Sequence, residues 1–441
     1  MSLGILKLYK YITLLFLGMM FTAAATAGGL KHELYHLEGE QDGKTVLIVG
    51  GIQGDEPGGF TAASILVTNY KIKKGSLWVI PNLNFESIVE SSRGLYGDMN
   101  RKFRTIKHND PDYDAVEEVK RLIRDEKVDL VLNLHDGSGF YRKSYIDKYR
   151  NPNRWGQSIV IDQSYLDGSD FPELEKMGET VAHQVNSRFG RDDFHYNVKN
   201  TMTRAGNYEM QKTLTYYAVN NKKAAFGLEA SKSFRTHERV YFHLSLIEEF
   251  LKLSGVEFQR DFDLTMADLE HIIGKNLALS LYQRRIALLL DDVQHDIRYF
   301  PIKRDGELEF KSNNPLLAVV PTKNYYKVKY GNRSIINLYP QYFDYDESLD
   351  KVSMMIDGQL KTVNIGTTVN VKQDFSVNPT TGYRVNVIGF VSGRKGSEEN
   401  LTVTKKSMLK RYSLDNGHDI YRIEFYKGKK FAGMILVRFH G

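Results

Sequence analysis

The stretch Thr45-Val46-Leu47-Ile48-Val49-Gly50-Gly51, running on into Ile52-Gln53-Gly54-Asp55-Glu56-Pro57, decides the fold. An unbroken apolar, β-branched run that ends in glycines reads as a strand buried on both faces and closed by a tight loop. Residues 58–70 (GGFTAASILVTNY) then read as a helix and residues 76–81 (SLWVIP) as a second strand. Working outward, residues 112–127 carry Val116, Val119, Leu122 and Ile123 at helical spacing, and residues 128–134 (VDLVLNL) form another buried strand. Residues 172–189 read as an amphipathic helix, 224–228 (AAFGL) as a strand, and 237–253 as a helix carrying Val240, Phe242, Leu246 and Phe250. Continuous apolar strands alternating with helices predict an α/β layer, a sheet covered by helices on both faces.

Beyond residue 258 the pattern changes. Residues 264–279 and 287–293 read as helical, and past residue 298 the chain reads as short strands with turn residues between them. From about residue 350 helical periodicity is gone. Residues 367–371, 384–390, 401–404 and 434–439 are β-rich, and Asp357-Gly358, Thr381-Gly382, Asn416-Gly417 and Lys427-Gly428 mark turns. The predicted layout is a leader over 1–27, the α/β domain over 28–257, a small mixed, mostly β domain over 258–347, and an immunoglobulin-like β-sandwich over 348–441.

The leader is read from Lys7 and Lys10, the apolar run ITLLFLGMMF at residues 12–21, and Ala25-Thr26-Ala27. A basic start, a short apolar core and a small-residue cleavage site are the marks of an export signal. The run is shorter than the ~20 apolar residues a membrane span needs, so no stable span is expected after cleavage. The expected location is a bacterial periplasm. The chain of 441 residues has no cysteine, which excludes disulfides, thiolate zinc sites and cysteine nucleophiles. A formal charge of +6 is mild for this length and does not indicate a nucleic-acid partner.

Four motifs sit at strand ends, where the loops of an α/β sheet open into a shared crevice. Gln53 and Glu56 are three apart after the first strand, so on a helical turn they face the same way and could share a metal. Arg93, Tyr96 and the run Asp98-Met99-Asn100-Arg101 supply guanidinium groups, the natural binders of carboxylates. His135 ends the strand 128–134, and Glu229 ends the strand 224–228. Each motif alone also has an ordinary structural reading: a glycine-rich turn, a solvated loop, a packed histidine, a salt-bridged glutamate. The run Gly39–Thr45 resembles a phosphate loop but has three residues between its glycines and precedes the strand.

In order and context together, the four motifs resemble the zinc metallocarboxypeptidases of the funnelin family. They are most similar to the peptidoglycan DL-carboxypeptidases that trim muropeptide tripeptides in helical bacteria, in which glutamine also replaces the first histidine ligand. The fold implied is a carboxypeptidase-like mixed sheet followed by two further domains. The resemblance implies that Gln53, Glu56 and His135 hold Zn2+. It implies that Glu229 takes the proton of the attacking water, and that Arg93 stabilises the oxyanion. Asn100 and Arg101 would hold the terminal carboxylate of the substrate. Arg204, Tyr208, Thr215 and Tyr216, in the stretch before Glu229, and Trp155 are candidates for the substrate-facing wall. The substrate implied is a peptidoglycan stem tripeptide, cut between D-glutamate and meso-diaminopimelate, with a role in helical cell shape and cell-shape proteins as partners.

An amide oxygen is a poorer zinc donor than imidazole. Asp98 stands where the wider family supports its first histidine, so Gln53 is expected to turn its oxygen to the metal and donate its NH2 to Asp98. Two other readings share these residues. One is an amidohydrolase of the succinylglutamate desuccinylase or aspartoacylase type, against which the leader and the two extra domains argue. The other is a non-catalytic wall scaffold in which Gln53 marks a decayed site.

Overall fold

The computed structural model describes residues 30–393 and 396–440; the expected leader, residues 1–27, lies outside them. The α/β part runs through β1 (Tyr35–Glu38), β2 (Gln41–Val49), α1 (Pro57–Asn69), β3 (Tyr70–Ile80), α2 (Phe85–Val89), α3 (Tyr113–Arg124) and β4 (Val128–Gly137). It continues through the short β5 (Phe140–Tyr141) and β6 (Arg150–Asn151) to β7 (Ser158–Ile161), α4 (Leu174–Asn186), β8 (Asn197–Asn200), α5 (Leu214–Asn220), β9 (Ala224–Ser231), α6 (Thr236–Leu253), β10 (Glu257–Arg260) and α7 (Met266–Ile272). The sheet order is β1-β3-β2-β4-β9-β7-β8, with β10 also pairing β3. Strands β3, β2, β4 and β9 are mutually parallel at its centre, and antiparallel pairs flank them.

That centre is apolar throughout. Val46 to Val49, Leu130 to Leu132 and Ala224 to Phe226 are fully buried, as a parallel sheet covered on both faces requires. Helices α1, α4, α6 and α7 pack together as one layer, while α3 and α5 pack on each other and on β4. Strand β2 therefore connects through α1 to β3 on one side and has β4 as its neighbour on the other. The order reverses between β2 and β4, and a crevice opens at the carboxyl ends of the strands flanking such a reversal.

The first core extends past residue 257, where the composition changes. Strand β10 adds to β3, and Leu269 of α7 is fully buried in the same cluster. Two expected helices are corrected. Of residues 264–279 only α7 is helical; Ala278–Leu281 is a strand, and Ile286–Leu289, which overlaps the second expected helix, pairs with it antiparallel. A short apolar run has no decisive period, and the tight turn through Tyr282, Gln283 and Arg284, all at positive φ, folds it back as a hairpin.

The middle unit docks on the α/β part. Phe60 of α1 and Phe85 and Ile88 of α2 share a core with Leu279, Phe300 and Leu338. Asn82 Nδ2 donates to the Pro315 carbonyl at 2.9 Å across this seam. The last unit is a β-sandwich of two four-stranded sheets, with Phe375, Ile423 and Phe425 between them. Its Asp357-Gly358 turn has both residues at positive φ and joins Ile356 to Gln359, the two-residue hairpin that a type I′ turn makes. Among the described residues no helix is long and apolar enough to cross a membrane.

Candidate active site

The loop from β2 carries Gln53 and Glu56 to the head of α1, where Pro57 occupies the first turn, the position that tolerates its missing N–H. Gly58 follows because α1 meets the end of β4 there: a Cβ would lie 2.3 Å from Asp136 Oδ1. The contact is a fastening point. Asp136 Oδ2 accepts from the Gly58 N–H at 2.8 Å and from Arg239 Nη1 at 2.6 Å, and Oδ1 faces His243 Nε2 at 3.2 Å. Burial opposes the charge on Asp136, but His243 and Arg239 outweigh it and hold the carboxyl below its ordinary value. The Asp136 N–H in turn donates to Glu56 Oε2 at 3.2 Å.

His135 is the residue before Asp136, and its Nδ1 lies 2.9 Å from Glu56 Oε2 and 3.1 Å from Gln53 Oε1. All three side chains are buried. Two oxygens therefore converge on one ring nitrogen. Donors about 2.0–2.1 Å from a tetrahedral metal stand roughly 3.3 Å apart, so each oxygen lies slightly nearer the ring nitrogen than two donors of one coordination shell would. The donor set, one amide oxygen, one carboxylate and one imidazole, suits zinc and does not exclude manganese or cobalt. Among the described residues no group of three His, Cys, Asp or Glu side chains is arranged to hold a metal ion, so a site here needs Gln53 as its third donor.

Asp98 ties this group to the arginine loop. Gln53 Nε2 donates to Asp98 Oδ1 at 2.7 Å, the Asn100 N–H to the same oxygen at 3.0 Å, and Arg93 Nε and Nη2 to Oδ2 at 3.2 and 3.1 Å. Burial disfavours the Asp98 charge, but the Gln53 amide and Arg93 more than compensate and keep its pKa low. Arg93 Nη1 also reaches Glu56 Oε1 at 3.4 Å. Asn100 is fixed through its Oδ1, which accepts from the Leu214 N–H at 3.0 Å. Arg101 Nη1 donates to the Asn100 carbonyl at 3.0 Å, its Nε lies 3.8 Å from Glu209 Oε2, and the residue lines the cleft.

Glu229 is the register partner of His135 across β4 and β9, so the two side chains leave the sheet on the same face. Gly137 leaves room for it, since a Cβ there would lie 2.7 Å from Glu229 Oε2. Among the described residues its carboxylate makes no hydrogen bond. Desolvation raises its pKa to about 8, with the charges of Glu56 and Asp136 adding to the rise against His135 and Arg93. Burial works against a charge on His135, but the Glu56 contact, with Glu229 and Asp98, holds the imidazole above its ordinary value.

The fold thus brings Gln53, Glu56, Arg93, Asn100, Arg101, His135, Trp155, Thr215 and Glu229 to one cleft. Arg204 is not among the residues lining it: the side chain is exposed on the short turn Thr203–Ala205. Tyr208 is exposed beside Arg104 and Lys212. Lys199 stacks its ammonium over the rings of Trp155 and Tyr141, 4.5 Å from each. Sequence reasoning missed Asn133, Thr213 and Lys232, which also line the cleft. Lys232, three residues after Glu229, pairs with Asp55 at 2.8 Å; its spacing was the available signal.

A paired carboxylate and imidazole at adjacent parallel strand ends, a free carboxylate one strand on and guanidinium groups at the mouth are what a metallocarboxypeptidase requires. Two family models give the same class. One, described as the catalytic domain of a carboxypeptidase controlling helical cell shape, matches residues 10–274; the other, the C-terminal domain of metallo-carboxypeptidase, matches residues 345–440. The chain belongs to the family of carboxypeptidases that control helical cell shape. Its solved relatives include the cell shape determinant protein Csd4 of Helicobacter pylori, in apo and tripeptide-bound forms. Each is 38% identical, with 93% of this chain and 100% of that chain covered and a TM-score of 0.88. The mDAP-bound form of the same protein, described as a D,L-carboxypeptidase, is 39% identical over 92% of this chain and 100% of that chain, with a TM-score of 0.88. A comparison with curated protein sequences gives no match.

Proposed function

We propose that the protein is a periplasmic, zinc-dependent D,L-carboxypeptidase that trims peptidoglycan stem tripeptides to dipeptides by releasing meso-diaminopimelate. The observation that carries this reading is the convergence of Gln53 Oε1 and Glu56 Oε2 on His135 Nδ1, with Glu229 on the adjoining strand. Similarity to a D,L-carboxypeptidase solved with a tripeptide and with mDAP supports the substrate. The basic, apolar N-terminal stretch supports export.

Gln53, Glu56 and His135 would hold the zinc. Bound there, it supplies a Lewis acid for the scissile carbonyl and acidifies water. The chain's own residues do the remainder. Asn100 and Arg101 receive the terminal carboxylate of diaminopimelate, which makes the enzyme an exopeptidase. Arg93 donates to the oxygen that becomes negative as the carbonyl is attacked. Glu229, which makes no hydrogen bond among the described residues, takes the proton from the attacking water in its ionised form, which the charge of a bound metal would favour, and delivers it to the leaving amine.

Incubation of the purified protein with muropeptide tripeptides, read by mass spectrometry, tests the reading. Loss of diaminopimelate is the expected result. Deacylation of N-acyl amino acids with intact tripeptide would instead favour the amidohydrolase. No product from the zinc-loaded protein would favour a scaffold.

A further inference from the structure

Asn133 sits on β4 two residues before His135, on the same face of the sheet. It is fully buried, and its Nδ2 lies 2.8 Å from His135 Nε2. Its Oδ1 is buried with no hydrogen-bond partner among the described residues. In the tautomer that lets Nε2 accept from the Asn133 amide, the ring proton is on Nδ1, aimed at Glu56 Oε2 at 2.9 Å. A ring nitrogen that carries a proton cannot ligate a metal. For Nδ1 to become a donor, the proton must sit on Nε2, which then requires an acceptor.

Asn100 cannot supply it. Its Nδ2 is 3.2 Å from Nε2, but its Oδ1 is held by the Leu214 N–H at 3.0 Å, so its NH2 stays toward the ring. Asn133 has no such tether. A half-turn of its amide exchanges the two atoms: Oδ1 takes the place 2.8 Å from Nε2, and NH2 takes the place where the oxygen now has no partner. Within the Asn133 amide one buried atom is unpaired before and after the exchange, while the Asn100 NH2, 3.2 Å away, gives up Nε2 as its acceptor.

We infer that Asn133 is the positioning residue for His135, its amide turning to accept the Nε2 proton and so freeing Nδ1 as a metal donor. This rests on the proposed zinc site. In this account Asn133 touches neither substrate nor metal and acts through the ring. The choice between the two amide orientations couples metal binding to a single side-chain rotation inside the sheet.

The test is zinc binding to the full-length protein, by chelator competition, for wild type, Asn133→Ala and Asn133→Asp, with the unfolding midpoint of each apo protein as a control. Removing such a partner weakens metal binding by about 10–100-fold. Asn133→Ala should show that loss. Asn133→Asp, which can only accept when ionised, should stay within a few-fold of wild type, and 15N spectra of its zinc form should show the ring proton on Nε2. Asn133→Ala binding zinc as wild type does, or Asn133→Asp losing as much as Asn133→Ala, overturns the inference alone. Failure of wild type itself to bind zinc overturns the proposed function, and the inference with it.

Discussion

The Gln53 amide is divided between two tasks: its Nε2 donates to Asp98 Oδ1 at 2.7 Å, and its Oε1 is thereby turned to within 3.1 Å of His135 Nδ1. An amide can do this because donor and acceptor leave one planar group in different directions. Asp98 also holds Arg93 and the Asn100 N–H, so one carboxylate orients the proposed metal donor, the proposed oxyanion group and one arm of the proposed carboxylate clamp. Asp98→Ala should lower zinc affinity by about 10–100-fold, read as metal content after dialysis against a chelator. Gln53→His should keep its zinc. Unchanged metal content in Asp98→Ala would remove Asp98 from the account.

Arg101 is expected to recognise charge on the substrate terminus. A hydrogen bond to a charged group is worth about 1.5–3 kcal/mol, so Arg101→Met should lose roughly 10–100-fold in kcat/KM on a tripeptide with a free carboxylate. The same tripeptide with an amidated C-terminus should be a poor substrate for wild type and should be little affected by the substitution. Equal losses on both substrates would show that Arg101 supports the loop and does not bind the carboxylate.

The head of α1 is packed against β4 without room for a side chain. Gly58→Ala places a methyl 2.3 Å from Asp136 Oδ1, and the helix must move or the Gly58 N–H contact must open. Overpacking of this kind costs about 1–3 kcal/mol. The variant should unfold at a lower temperature and should bind zinc more weakly, because Glu56 and Asp136 are fastened at the same place. A fall in midpoint with unchanged metal affinity would separate the two effects.

Asp162 follows β7 with Oδ2 buried and unpaired among the described residues, and burial pushes its pKa from 3.8 up to about 6 against the pull of its threonine partners. The folded protein therefore binds this proton more tightly than the unfolded chain. The resulting stabilisation is complete below pH 3.8 and is lost as pH rises through about 6. The shift corresponds to roughly 3 kcal/mol. Denaturant titrations of wild type and Asp162→Asn should show their stability difference moving in favour of the variant by up to that amount between pH 4 and pH 8. A pH-independent difference would contradict it.

The central strands and the order of the motifs could be read from the sequence because both rest on local signals: unbroken apolar runs, and polar residues placed where those runs stop. The strands ending at Val49 and Gly137 and the helices 113–124 and 236–253 follow from them. Strands Ser158–Ile161 and Asn197–Asn200 carry too few residues for a period, and only pairing to β9 and to each other makes them strands. The hairpin strands Ala278–Leu281 and Ile286–Leu289 overlap the segments 264–279 and 287–293, whose composition suggests helix for the same reason. The carboxylate at Asp136 was visible in His135-Asp136-Gly137, but its work of fastening α1 depends on Arg239 and His243, about a hundred residues away and reachable only through the fold. The exposed Arg204 shows the reverse limit: a charged residue in a loop near the site in sequence need not face it.

Glu229 carries the chemical claim, since in the proposed mechanism its carboxylate moves the proton and does not hold the metal. The direct measurement is turnover of muropeptide tripeptide by zinc-loaded Glu229→Gln, with zinc content measured on the same sample. The account predicts full zinc occupancy and a fall in kcat of about 10²–10⁴-fold. Cleavage within a few-fold of wild type, with zinc bound, would contradict it.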